Sequence, residues 1–191
     1  MRVLVTGGAG FIGSALSRTL AHHASRWVAF DSMHSQVHSS AHASELSSDA
    51  ELVIGDVTQA EDWDRLFHDF RPDVVFHFAA ETGTAQSLNE ASRHSLVNVV
   101  GTTQMTDACG RHGIVPRQVV LSSSRAVYGE GQWRDATHDF YLPMRPHHQL
   151  QAGQWQPEGA TPVPSQASRT HAAPTSVYGA TKLASDNSLS N

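Results

Sequence analysis

An α/β fold built on a doubly wound parallel sheet is what this sequence predicts, on three observations. Short apolar runs alternate with amphipathic stretches at helical spacing through most of the first 124 residues. The runs VLV (3–5), LVI (52–54) and VVFHF (74–78) are apolar without alternation, the pattern of strands buried on both faces. The first run ends in a glycine-rich turn that leads directly into a helical pattern.

The elements follow in order. RVLVTG (2–7) is the first strand, and Ile12, Ala15, Leu16, Thr19 and Leu20 mark a helix over 12–23. WVAF (27–30) is a second strand ending at Asp31, and ELVIG (51–55) a third ending at Asp56. Residues 59–69 form an amphipathic helix with Trp63, Leu66 and Phe67 on one face. DVVFHFAA (73–80) is a fourth strand, 94–111 a long helix stopped near Gly113, and RQVVLSSS (117–124) a fifth strand. SVYGATKLASDNSL (176–189) opens the last helix. Such alternation implies right-handed crossovers, with a ligand beyond the carboxyl ends of the strands. The segment 130–174 is rich in Gln, His, Pro, Gly and Trp and shows little periodicity. It reads as a long insert or lid loop within one domain spanning 1–191, with Trp133, Phe140, Tyr141 and Trp155 supplying apolar area to pack it.

The formal charge is −5 with acids and bases interspersed, so nucleic acid is not an expected partner. The single cysteine, Cys109, excludes a disulfide framework and reads as a packed core thiol. The N-terminus is not a signal peptide, and no run approaches a membrane span. A cytoplasmic location is the default. Histidines number 13, and His34, His38 and His42 share a four-residue spacing, but their Ser/Ala-rich surroundings read as loop plus frayed helix, and no metal site is expected.

Chemistry concentrates in four places. Gly7, Gly10 and Gly13 permit a tight turn and close approach of a pyrophosphate to backbone N–H groups at a helix N-terminus, so an acidic protein can hold an anionic cofactor. Asp31 stands where a carboxylate accepts the adenosine ribose hydroxyls and repels an extra phosphate, which favours NAD over NADP; the alternative is a loop cap. Asp56 meets the adenine beside Val57, or serves only as a turn aspartate. Tyr178 and Lys182 lie at i and i+4 on one helix face, where an ammonium favours a phenolate able to take a hydroxyl proton. Ser122, Ser123 and Ser124 end the fifth strand, where a hydroxyl can steady a developing carbonyl or simply bond its own backbone.

Taken together, TGGAGFIG, Asp31, GDV (55–57), FHFAA (76–80), NVVGT (98–102), SSSRAVYG (122–129) and YGATK (178–182) resemble the extended short-chain dehydrogenases/reductases. The resemblance is to the NAD-dependent nucleotide-sugar epimerase/dehydratase branch and covers residues 1 to about 185. It implies a Rossmann fold in which Gly7, Gly10, Phe11, Ile12 and Gly13 hold the pyrophosphate of NAD and Asp31 the ribose. It further implies that Asp56 and Val57 flank adenine, and that Phe78, Ala79 and Ala80 line the cofactor. Ser122 would approach the nicotinamide, and Ser124, Tyr178 and Lys182 would be catalytic, Tyr178 and Lys182 also touching the cofactor. Asn98 matches a helix asparagine near the cofactor, or is simple helix packing.

Dehydratases of this branch typically place acidic residues after the catalytic Ser/Thr. Here those positions are Arg125 and Ala126, so the resemblance implies an epimerase that oxidises a sugar C4 hydroxyl and returns hydride to the other face. AAETGTAQS (79–87) and SSSRAVYGEG (122–131) look similar to epimerases acting on dTDP-6-deoxyhexoses, the dTDP-L-rhamnose 4-epimerase type. The chain reaches Asn191 soon after Lys182, where the resemblance implies a sixth strand and a small substrate-gripping domain. The expectation is a truncated domain, weakly active or inactive by itself, with a complete small NAD-binding protein as the alternative. A dehydrogenase/reductase and a non-catalytic NAD-binding module stay open as functions. A nucleotide-sugar substrate and a homodimer formed through the helices 94–111 and 176–189 are the implied partners.

Overall fold

The computed structural model describes residues 1–38, 46–142 and 144–189. Five parallel strands form the main sheet: β1 (Arg2–Thr6), β2 (Arg26–Asp31), β3 (Glu51–Ile54), β4 (Val74–His77) and β5 (Gln118–Leu121). Their order is β3-β2-β1-β4-β5, so the winding reverses between β1 and β4. Successive residues of the central strands enter two separate cores. Leu4, Val28, Phe30 and Val75 join Trp63, Phe67, Phe70 and Met105 beneath helices α2 (Ala60–Asp69) and α4 (Gly101–Arg111). Val3, Val5, Trp27 and Ala29 join Leu20 beneath α1 (Phe11–His23) on the other face.

The predicted strands and helices are all present, with instructive shifts. β4 ends at His77, Phe78 N makes a last bond to Thr6 O at 3.1 Å, and residues 78–80 then line a crevice. β3 is not buried on both faces. It pairs only with β2, and Ile54 is 62% exposed, because an edge strand lacks the neighbour that its apolar run suggests. The long helix begins earlier than expected, as α3 (Ala91–Ser95), and passes through a π-turn (Leu96–Val100) into α4. The Thr102 hydroxyl and, from the last helix, the Ser185 hydroxyl lie 2.7 and 2.6 Å from the Asn98 carbonyl and crowd the place of an ordinary helical bond.

The insert is more regular than its composition suggested. β6 (Gln132–Arg134) pairs antiparallel with β7 (Asp139–Tyr141) and β8 (Thr161–Val163), and a short helix, α5 (His147–Gln151), follows β7. Trp133 is buried in it, but Trp155, expected to pack, is 65% exposed. The last helix, α6 (Val177–Leu189), seats Leu189 against the α2/α4 core despite its weak apolar face. Cys109 packs partly buried on that same core, and burial pushes its thiol up. Among the described residues no helix is long and apolar enough to cross a membrane.

Candidate active site

The phosphate turn is built from β1 and α1. Gly7 has φ +64°, and a Cβ there would sit 2.7 Å from Ala79 N. A Cβ on Gly13 would sit 2.5 Å from Gly8 O and 2.6 Å from Gly7 O, so α1 can approach the strand only with glycine at that position. Gly10 differs: its Cβ would meet only Gly7 O, at 3.2 Å. The fold itself demands Gly7 and Gly13, whereas the open side of Gly10 faces the crevice.

That crevice is a cavity of about 670 Å³ at the carboxyl ends of the strands. It gathers Gly7, Gly10, Phe11 and Ile12 from the turn and Asp31 from β2. Asp56 and Val57 come from the end of β3, and Phe78, Ala79 and Ala80 from the end of β4. Asp31 is 8% exposed, and its carboxylate accepts Ala9 N at 3.1 Å and Met33 N at 2.9 Å while facing His38 Nε2 at 3.2 Å. It therefore also caps the loop, the alternative considered from sequence. Asp56 Oδ1 likewise accepts Thr58 N at 2.8 Å, so a turn role and a place on the cavity wall coexist. His42 lies outside the described residues, and His38 is engaged with Asp31.

Gly13, Asn98, Ser122, Ser124, Tyr178 and Lys182 do not line this cavity. Gly13 acts through packing. Asn98, 1% exposed, is a clamp: its amide nitrogen donates to Glu81 O at 3.1 Å and Thr181 Oγ1 at 3.0 Å, and its oxygen accepts Glu81 N at 2.8 Å. It ties the segment after β4 to α6 rather than facing the cavity. Ser122 N donates to His77 O at 3.3 Å, continuing the β5–β4 register. Ser124 caps the 3₁₀ turn Arg125–Tyr128, its hydroxyl oxygen accepting Ala126 N at 3.1 Å. The hydroxyl proton remains available to a substrate.

Helix α6 packs against that same turn. A Cβ on Gly179 would lie 2.5 Å from Ala126 O, so the glycine beside Tyr178 allows the approach. The His94 ring meets Tyr178 edge-on with centroids 6.4 Å apart. Lys182 is 2% exposed; burial lowers its ammonium from the usual lysine range while Asp186, one turn on, pulls the other way. Ser123 Oγ donates to Asp186 Oδ2 at 2.5 Å, tying the end of β5 to α6. The candidate catalytic groups thus stand beyond β4, on the side of the crevice away from Asp31.

Several site residues escaped the sequence reading. Arg93 lines the cavity and pairs with Glu81 at 2.7 Å and Glu90 at 3.0 Å, which raises its guanidinium. Gln36 and Gln86 join their amides across the cavity mouth at 3.1 and 3.4 Å. No motif marks these residues: Gln36 meets Gln86 fifty residues on, and Arg93 reaches Glu81 beyond its near neighbour Glu90. A histidine within the apolar run of β4 was the visible signal for His77.

Fold, glycine turn and switch-point crevice define the class of the protein, a Rossmann-type α/β domain. The model of the NAD-dependent epimerase/dehydratase family matches residues 3–191, and the chain belongs to that family. A dTDP-L-rhamnose 4-epimerase of Burkholderia thailandensis is 55% identical over 98% of this chain and 52% of its own length. A UDP-glucose 4-epimerase of Mycolicibacterium smegmatis is 36% identical over 80% of this chain and 48% of its own. Among solved structures, the Thermus thermophilus UDP-glucose 4-epimerase complexed with NAD superposes with a TM-score of 0.74 at 27% identity, covering 100% of this chain and 50% of that one. The chain spans about half the length of the curated relatives it matches.

Proposed function

We propose that this chain is the NAD-binding half of a nucleotide-sugar 4-epimerase acting on a dTDP-6-deoxyhexose such as dTDP-L-rhamnose. The observation that carries the reading is the crevice, with a glycine turn at one end and a buried carboxylate, Asp31, on its wall. Its residues fit NAD: Gly10 leaves a cradle that a side chain would fill, the α1 N-terminus offers backbone donors, and the cavity volume suits a ligand of this size. When bound, NAD supplies a hydride acceptor that becomes the donor of the second half-reaction.

The chain's own residues handle the proton and the oxygen. Tyr178 takes the C4 hydroxyl proton and later returns it, so acid and base are one group, and return of the hydride to C4 leaves no net redox change. Lys182 presents a positive charge one helical turn from Tyr178, and Ser124 donates its free hydroxyl proton to the C4 oxygen as carbonyl character grows. The β6–β8 insert covers the sugar in this reading. Two copies pair through α3–α4 and α6, where Leu96 is 47% and Val100 38% exposed.

The test is to incubate the NAD-loaded protein with dTDP-L-rhamnose and to follow products by NMR. Weak epimerisation without NADH accumulation is the expected result for a chain that spans about half the length of its relatives, and Tyr178→Phe should retain NAD while losing that turnover. Stoichiometric NADH would overturn the epimerase in favour of a dehydrogenase. A Tyr178→Phe protein with unchanged function would favour a non-catalytic module.

A further inference from the structure

Beneath the crevice, at the point where the winding reverses, lies a buried polar chain that the proposed reaction does not use. Thr6 and His77 are register partners at the ends of β1 and β4, 0% and 1% exposed. Thr6 Oγ1 accepts Phe78 N at 3.2 Å and Ala79 N at 3.1 Å, and lies 2.8 Å from His77 Nδ1. On the far side of the ring, His77 Nε2 is 3.1 Å from Thr102 Oγ1. Thr102 Oγ1 donates to Asn98 O at 2.7 Å, and Asn98 reaches Thr181 on α6.

Counting protons leaves one arrangement. Thr6 Oγ1 accepts Ala79 N–H and shares Phe78 N–H with the Thr6 carbonyl, which lies 3.1 Å from Phe78 N, and its own hydrogen goes to His77 Nδ1. The Thr102 hydrogen goes to Asn98 O, so Thr102 accepts from His77 Nε2–H. The imidazole is therefore neutral, with its proton on Nε2. A proton on Nδ1 would leave the buried Thr6 hydroxyl without an acceptor, and a ring protonated on both nitrogens would also place a second cation near Lys182. Burial and the charge of Lys182 both push His77 down, to about 3.

We propose that His77 is a positioning residue: a neutral imidazole, fixed as the Nε2–H tautomer, that holds the cofactor-lining ends of β1 and β4 in register with the helix carrying Tyr178 and Lys182. The inference rests on the NAD reading above and deepens it. Thr6 sets the backbone of Phe78 and Ala79 on the crevice wall, and the ring passes that placement through Thr102 and Asn98 to Thr181, the residue before Lys182. Because every member is buried and satisfied, loss of one contact leaves a partner exposed to nothing.

Two measurements test it. Histidine ¹⁵N NMR of the intact chain should show the His77 proton on Nε2 and no titration between pH 5 and 8. A ring that titrates in that range, or carries its proton on Nδ1, overturns the proposal. Thr102→Val keeps the side-chain shape, does not touch the crevice, and should weaken NAD binding by about tenfold in calorimetry. Thr102→Ser, which restores the hydroxyl, should recover most of that loss. A purely structural hydroxyl would lower the melting temperature of Thr102→Val and leave NAD affinity at the wild-type value, which also overturns the proposal. A wild-type chain that binds no NAD sinks the cofactor reading and the positioning role with it; its imidazole spectrum separates that failure from a failure of the network.

Discussion

Two glycines and a histidine show how single side chains divide between fold and function. A Cβ on Gly13 would press into the Gly7 and Gly8 carbonyls, whereas one on Gly10 meets a single oxygen at 3.2 Å. Gly13→Ala should therefore lower the melting temperature, and Gly10→Ala should melt close to wild type yet bind NAD at least about tenfold more weakly, because the methyl group occupies the pyrophosphate approach. Thermal melts and calorimetry on the same samples separate the two effects. His77 governs a pH dependence. Its folded value of about 3 lies below the unfolded reference of about 6.5, so between those limits the unfolded chain binds the extra proton. Stability is held above that window and falls as pH drops through it, by up to about 1.4 kcal/mol per pH unit for this one group. Urea titrations at pH 7, 6, 5 and 4 should show a shallower loss in His77→Phe than in wild type, even if the variant is less stable at pH 7.

At the scale of the element, the clamp between the segment after β4 and α6 is the vulnerable joint. Asn98→Ala strands the part-buried Glu81 N and Glu81 O and removes the buried link to Thr181. It should cost about 2–4 kcal/mol in urea unfolding followed by the fluorescence of buried Trp63. A loss below about 0.5 kcal/mol would mean that the clamp does not form. This joint also marks the limit of what the sequence discloses. The β1–turn–α1–β2 unit was legible with Gly7, Gly10, Gly13 and Asp31, because strand, turn and helix signals are local and contiguous. The π-turn was not, since it arises where Ser185 and Thr102 meet one carbonyl. The three-residue strands β6, β7 and β8 are too short to display a two-residue period. The exposure of Ile54 depends on how many neighbours β3 has, which an apolar run does not encode. Asn98 was noticed by its motif, but its partners Glu81 and Thr181 became visible only in three dimensions.

For the molecule as a whole, the question is how a chain of net charge −5 holds a dinucleotide carrying two phosphates. Bulk attraction has the wrong sign, so binding must rely on oriented backbone N–H groups and the α1 dipole at one end of the crevice. Such short-range interactions are screened far less than an extended basic surface, so NAD affinity should change less than about threefold between 50 and 500 mM salt. The same logic sets cofactor choice. Asp31 is buried, and its Oδ1 meets Met33 N and His38 Nε2 while Oδ2 accepts only Ala9 N, which leaves acceptor capacity on Oδ2 for a ribose hydroxyl. A 2′-phosphate brought there would face a carboxylate at close range in a low-dielectric wall, a repulsion that NADP cannot avoid and NAD never meets. Because a ligand that binds only the folded state stabilises it by RT ln(1 + [L]/Kd), NAD at a hundred times its dissociation constant should add about 2.7 kcal/mol, visible as a rise in melting temperature. NADP at the same concentration should raise it much less. Asp31→Ser should narrow the gap from both sides, weakening NAD and admitting NADP. If NADP stabilises the wild-type chain as well as NAD does, Asp31 does not face the ribose, and the dinucleotide lies elsewhere on the sheet.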